Sequence, residues 1–245
     1  MNNYDAFIDP KLRLCSMDIF IIRRAIFAAL KQVLPILSGT MIDVGCGQMP
    51  YRETIMSFGQ VKNYIGLDLE QNEFYRNSPD LTWDGLTILL KDNSVDCAMA
   101  TEFFEHCPEP ELVMKEICRV LRPGGKMFFT VPFLWPLHDV PNDQYRYTPF
   151  SLKRHLTESG FNKIHLHALG GWNECLAQMI GLYVRRKPMC TSVKLLASFL
   201  ALPLMYLLSR NVGAVDQNKC IETSQTDFTE SNMISGIWGV AYKPL

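Results

Sequence analysis

The sequence predicts an α/β fold: a doubly wound, mainly parallel sheet with helices flanking it. Three observations carry this expectation. Short β-branched runs alternate with helical patterns or short connections, the first of those runs stops abruptly in a glycine turn, and a last apolar run stands apart beyond some 65 further residues. The chain has 245 residues, 48% of them hydrophobic and 20% charged, which suits one compact core with additions and excludes disorder for most of its length. With 24 Lys+Arg against 25 Asp+Glu the formal net charge is -1, so no nucleic-acid partner is expected. The 8 Cys, at 15, 46, 97, 107, 118, 175, 190 and 220, form no C-x-x-C pair and are expected to be reduced thiols of a cytoplasmic protein. Met1 to Leu14 mixes Asp5, Asp9, Lys11 and Arg13 without an apolar stretch, so no secretory signal is expected.

Each element follows from its pattern. Met17 to Leu34 carries Ile19, Ile22, Ile26, Leu30 and Val33 at helical spacing, with Arg23, Arg24 and Lys31 on other faces, and predicts a docking helix. Strands are expected at Thr40 to Val44, Tyr64 to Leu69, Leu81 to Trp83, Val95 to Ala100 and Lys126 to Pro132. Pro110 to Leu121 has one apolar stripe and predicts a helix, ended by the turn Arg122-Pro123-Gly124-Gly125. A helix at Pro149 to Ser159, a strand through Phe161, Ile164, Leu166 and Ala168, and a last strand at Ile237 to Tyr242 complete the core. Between the two late strands a helix is expected at Trp172 to Arg186. The charge-free run Leu195 to Leu208, interrupted by Pro203, is 14 residues long, short of the ~20 a spanning helix needs, and predicts a cap or interfacial helix. Gly213 to Gly236 is expected to be a lid or disordered. The organisation is thus a helical extension (1–38), a ligand-binding core (39–170), a cap with lid (171–235) and the last core strand (236–245).

The chemistry begins at Ile42-Asp43-Val44-Gly45-Cys46-Gly47. Two glycines let the backbone turn at a strand end and approach a ligand closely. Asp68 closes the next strand 23 residues beyond Gly45, where a carboxylate can accept from both hydroxyls of a ribose. Together they imply a nucleoside-containing cofactor, either a dinucleotide or a nucleoside sulfonium. Pro50 occupies the third glycine position of G-x-G-x-x-G, which weakens the case for a pyrophosphate on a helix N-terminus.

The run Asp43-Val44-Gly45-Cys46-Gly47-Gln48-Met49-Pro50-Tyr51-Arg52 resembles the first motif of class I S-adenosylmethionine-dependent methyltransferases, those of type 11 in particular. Other blocks follow in that family's order: Gly66-Leu67-Asp68, Trp83-Asp84-Gly85, Asp92-Asn93-Ser94-Val95-Asp96, Glu102-Phe103-Phe104-Glu105-His106 and Arg119 to Gly125. The resemblance covers about residues 39 to 170. It implies a Rossmann-like seven-stranded sheet and S-adenosylmethionine as cofactor. Asp43, Gly45 and Gly47 would hold the methionine end, Asp68 with Leu69 the ribose side, Asp84 and Gly85 the adenine edge, and Thr101 and Glu102 the aminocarboxypropyl arm. Two departures stand out. Met49 replaces the family's third glycine, and only 16 residues separate Asp68 from Asp84, leaving little room for the usual helix.

For the acceptor, the loop after the fifth strand gathers His138, Asp139, Asp143, Tyr145, Arg146 and Tyr147 just outside a strand's C-terminal end, where α/β sheets bind ligands. His138 is the candidate base, since an imidazole titrates near neutrality at about 6.5. Asp139 is expected to orient it and Arg146 to hold a polar group of the acceptor; alternatively Asp143 and Arg146 simply pair and fix the loop. No metal is expected, because His138, Asp139 and Asp143 have no companion ligand at a recognised spacing, and neither do His165 and His167. Glu105 and His106 are equally read as a structural cap or a substrate contact. The pattern of this loop, with the Pro-Tyr first motif and the apolar insert, resembles methyltransferases of bacterial surface-glycan and secondary-metabolite pathways. That resemblance implies O-methylation of a small molecule, sugar or lipid-linked glycan, or else of a hydrophobic compound such as a quinone or polyketide. Residues 185–208, with Arg185, Arg186 and Lys187 beside the apolar run, are a candidate for peripheral membrane contact. A nucleotide-binding module without turnover is the competing class.

Overall fold

The computed structural model describes residues 3–69, 78–212 and 227–245. Among these, seven strands form one sheet: β1 (Ser38–Val44), β2 (Gln60–Leu69), β3 (Leu81–Trp83), β4 (Val95–Thr101), β5 (Leu121–Pro132), β6 (Asn162–Leu169) and β7 (Gly236–Tyr242). Their order is β3-β2-β1-β4-β5-β7-β6, and every neighbouring pair is parallel except the two that β7 makes with β5 and β6. The order reverses between β1 and β4, so the crevice for a ligand opens there, beyond the carboxyl ends of the strands.

The helices are α1 (Asn3–Ile8), α2 (Phe20–Val33), α3 (Arg52–Phe58), α4 (Pro110–Val120), α5 (Pro149–Glu158), α6 (Trp172–Arg186) and α7 (Thr191–Leu208). Two apolar cores lie on the two faces of the sheet. One joins α2 and α6 to β1, β2, β5 and β7 through residues such as Ile21, Leu30, Met41, Phe128 and Ala177. The other joins α4 and α5 to the opposite face through Ile42, Met114, Ile117, Phe129 and Leu152. Pro149 at the first turn, with the Thr148 side chain accepting from the Ser151 amide at 3.2 Å, explains why α5 starts where the acceptor loop ends.

Three differences from the sequence pattern have local causes. α3 was not expected: its seven residues bury only Thr54 and Ile55, too few to show a period. β5 begins at Leu121 and runs through Arg122-Pro123-Gly124-Gly125, expected as a turn. There the register against β4 shifts between Val95 and Cys97 and Gly124 takes φ +75, so the glycines make a bulge inside the strand rather than a break before it. α7 begins at Thr191, four residues ahead of the charge-free run, because Lys194 points its ammonium back to the Arg185 carbonyl at 2.8 Å.

The N-terminal extension is tied to α6. A Cβ at Gly181 would lie 2.2 Å from the Met17 carbonyl oxygen, so only glycine permits the approach. Gln178 donates to the Asp18 carbonyl at 2.6 Å and Arg186 to the Asp18 carboxylate at 2.7 Å. Against α6 packs α7, which buries only Ser198, Ala201 and Met205 and leaves Leu196, Phe199 and Leu200 at 62%, 59% and 69% exposed. It is therefore not a core helix. Among the described residues it is the one helix long and apolar enough to cross a membrane, with a mean hydropathy of 1.7. Most of the expected lid, residues 213–226, lies outside the described residues.

Candidate active site

The first half of the site is made largely by backbone. β1 ends in Val44, and Gly45 then takes φ +70 while a Cβ there would stand 2.2 Å from the Phe103 ring, so no side chain fits. Gly47 takes φ +51, and its amide donates to the Asp68 carboxylate at 2.8 Å, while the Leu69 amide donates to the other oxygen at 2.8 Å. The acid at the end of β2 is thereby locked against the glycine turn at the end of β1. Met49, at the family's third glycine, takes φ +52, the conformation glycine would have supplied. Its sulfur fills the space a Cβ on Gly66 would need.

Asp43, at the same strand end, is buried and accepts a short hydrogen bond from the Tyr64 hydroxyl, while its Oδ1 has no partner among the described residues. Burial raises its carboxyl from the ordinary range to about 7, against the Tyr64 bond that lowers it. An orphaned buried carboxylate oxygen and a glycine cradle fit the ammonium and backbone-like arm of a methionine. On the adenine side, Gly85 takes φ +88 and Leu69 is half exposed beside it. Asp84, however, spends one carboxylate oxygen on its own turn, accepting from the Leu86 and Thr87 amides at 2.8 and 2.7 Å, bonds that hold its carboxyl below the usual range.

The far wall is the end of β4. Thr101 pairs with Thr130 of β5, and Glu102 takes φ +50, a strained conformation for a residue of its kind. The Glu102 carboxylate accepts from the Thr130 hydroxyl at 2.9 Å, and burial raises its carboxyl. The electrostatic partners of Glu102 include Arg23 of α2, which also acts on Tyr51 and stacks over Phe7 at 3.7 Å. Arg23 was expected on a face of α2 other than the apolar one, and there it lies as a cation close enough to act on Glu102 and Tyr51. Helical spacing gave no sign of that neighbourhood. Asp80 was missed as well: it accepts from the Gly66 amide at 2.8 Å and from Arg52 at 3.0 Å, pinning β2 to α3.

The second half of the site is made by side chains from separate segments. Asp143 is gripped by Arg146 through two bonds of 2.5 and 2.7 Å, and Arg146 also donates to the Tyr145 carbonyl at 2.8 Å. These bonds hold the Asp143 carboxyl at about 2. The same Asp143 accepts from the His138 amide and lies 3.2 Å from His138 Nδ1. Asp139 was expected to orient His138; this geometry gives that place to Asp143, because Asp139 at φ +47 turns outward and lies 3.9 Å from His106 instead. Arg146, expected to reach the acceptor, is spent on Asp143 and the loop carbonyls, and fixes the loop.

His138 and His106 meet edge to face, with ring centroids 4.8 Å apart. His106 Nδ1 lies 3.3 Å from the Asn142 carbonyl, which can only accept. Glu105, between them in the wall, is wholly buried, and neither carboxylate oxygen has a hydrogen-bond partner among the described residues. Burial first and then Glu102 push its carboxyl well above the usual range, and burial with the neighbouring His138 lowers His106. Sequence spacing provided His138 with no companion metal ligand; the fold brings two, from 33 and 32 residues upstream.

Comparison with known proteins gives a consistent result. The family model described as a methyltransferase domain matches residues 42–129. An uncharacterized methyltransferase of Mycobacterium ulcerans is 28% identical over 196 residues, 69% of this chain and 76% of that protein. A ubiquinone biosynthesis O-methyltransferase of Coxiella burnetii is 25% identical over 109 residues, 41% of this chain and 47% of the relative, so that match spans about half the relative's length. Among solved structures, an S-adenosylmethionine-dependent methyltransferase of Archaeoglobus fulgidus superposes with a TM-score of 0.55 at 17% identity, over 91% of this chain and 93% of that one, a likeness of fold.

Proposed function

We propose that this chain is a class I S-adenosylmethionine-dependent methyltransferase that methylates a hydroxyl of an acceptor held at a membrane surface, a lipid-linked glycan in the first place. When bound, S-adenosylmethionine would supply an activated methyl carbon open to in-line attack by the acceptor oxygen, with S-adenosylhomocysteine as the group displaced. The protein's own work is to position both partners and to receive the hydroxyl proton. Asp43, Gly45 and Gly47 hold the methionine end, and Asp68 holds the ribose. Thr101 and Glu102 form the wall between this cradle and the acceptor pocket.

The observation that carries the proposal is the state of His138. Asp143 occupies its Nδ1 and Arg146 fixes Asp143, so the imidazole is aimed and its Nε2 is left for chemistry. Proton removal is assigned to that nitrogen's pocket, with Glu105 and His106 as its other walls. The membrane part rests on α7. Leu196, Phe199, Leu200 and Leu207 are exposed, no acidic residue lies between Thr191 and Leu208, Lys187 and Arg210 flank the helix, and Lys194 sits in its first turn. Such a face complements an anionic bilayer. An acceptor with an apolar tail would be presented from the same surface; a prenylated phenol is the second candidate of this kind.

Transfer of label from methyl-labelled cofactor into a membrane extract tests the proposal. Label is expected in solvent-extractable ethers, with His138→Ala lowering kcat about 100- to 10,000-fold. Label confined to water-soluble products, or turnover indifferent to His138, contradicts it. Sedimentation with phosphatidylglycerol vesicles is expected for the wild-type chain and lost in Phe199→Asp/Leu200→Asp.

A further inference from the structure

We propose that Glu105, His106 and His138 form a binding site for one divalent transition-metal ion, of the Mn2+ or Zn2+ class, at the acceptor end of the crevice. The inference deepens the reading of that pocket as the place where the acceptor hydroxyl is deprotonated, and rests on it.

One oxygen of Glu105 and one ring nitrogen from each histidine lie within 4.8 Å of one another. Glu105 Oε1 and His106 Nε2 are 3.7 Å apart, too far to hydrogen-bond and close to the separation of two ligands that share an ion at roughly 2.1 Å from each. The pairing of the outer nitrogens is the second observation. His138 Nδ1 is held by the Asp143 carboxylate and His106 Nδ1 by the Asn142 carbonyl. Both partners can only accept, so both rings carry their proton on Nδ1 and keep an Nε2 lone pair free, the arrangement that supporting contacts impose on metal-bound histidines.

The third observation is independent of the histidines. Glu105 is wholly buried, and neither of its oxygens has a hydrogen-bond partner among the described residues. A buried carboxylate is retained at such cost when a cation or a donor completes it, and no donor among the described residues does so. The surrounding charge agrees: Glu102, Asp139 and Asp143 stand near the pocket, and the guanidinium closest to it, Arg146, is already paired with Asp143. Two imidazoles and one carboxylate on one side leave the other coordination positions open toward the crevice. A hydroxyl bound there loses its proton at a lower pH, so that His138 would act as a ligand of the ion and the proton would pass to solvent.

The test uses the full chain stripped with a chelator and titrated with MnCl2, with free Mn2+ read by electron paramagnetic resonance and S-adenosylhomocysteine binding followed in parallel by calorimetry. The expected result is one Mn2+ per chain, two imidazole nitrogens in the pulsed spectrum of the bound ion, and affinity reduced by more than about 100-fold in Glu105→Gln, His106→Gln and His138→Gln. The pulsed spectrum needs no variant, so the proposal stays testable if one of these fails to fold. No saturable Mn2+ or Zn2+ binding, or binding without nitrogen ligands, overturns it. S-adenosylhomocysteine binding in the absence of any metal binding would refute the ion alone; loss of both would refute the cofactor reading too.

Discussion

The glycine crevice after β1 and the loop pocket around His138 both lie at the carboxyl end of the sheet, yet they are built in opposite ways. The crevice is backbone: a glycine with no room for a Cβ, two amides holding Asp68, and a methionine bent to φ +52. The pocket is side chains: His106 and Glu105 after β4 meet His138 and Asp143 from the loop after β5, His138 standing 32 residues beyond His106. A crevice of backbone has its shape set by the sheet itself. A pocket of side chains on loops can change with the acceptor while the sheet stays as it is.

The comparison can be broken at its strongest point first. Gly45→Ala places a Cβ against Phe103 and forces a left-handed alanine, about 1–2 kcal/mol for the backbone alone; calorimetry is expected to find no S-adenosylhomocysteine binding, while His106→Ala retains it. Next in size is Asp143→Ala, which frees His138 and leaves Arg146 unpaired. Denaturant unfolding is expected to show a loss of about 3 kcal/mol with cofactor binding intact. Because the Asp143 carboxyl is held at about 2, below its ordinary value, its contribution is full above about pH 4 and is lost as the pH falls through about 2.

The smallest expected effect sharpens the contrast by pH. The Asp43 carboxyl is raised to about 7, so it favours the fold below its ordinary value near 4 and that contribution is lost as pH rises through about 7. A bound ammonium favours the ionised form, so cofactor affinity is expected to rise about tenfold from about pH 6 to about pH 8. Tyr64, Asp68, Cys46 and Tyr51 act on the same group, with Arg52 over the Tyr64 ring, and Asp43→Asn is expected to remove the slope. An unchanged slope in the variant would assign the titration elsewhere.

These two constructions also explain what could be read from the sequence. All seven strands were visible, because strands covered on both faces are apolar runs bounded by turn residues, and the glycine turn with Asp68 is a local pattern. α3 and the bulge in β5 were not, because one is too short for a period and the other looks like the turn it resembles. In the acceptor pocket His138 was visible through its loop, but its orienting partner was assigned to the adjacent Asp139 rather than to Asp143. Sequence neighbours are not ring neighbours where φ at Asp139 is +47 and the side chain turns away. Arg23 and the Glu105–His106 wall depend on contacts between α2, β4 and the loop, which no spacing encodes.

On the function proposed above the two halves form one reaction centre, and a crystal structure with S-adenosylhomocysteine tests this most directly. The sulfur is expected to open onto the pocket walled by Glu105, His106 and His138, with Asp68 on the ribose hydroxyls. A sulfur turned away from that pocket, with the strained Glu102 wall closed between them, would contradict it.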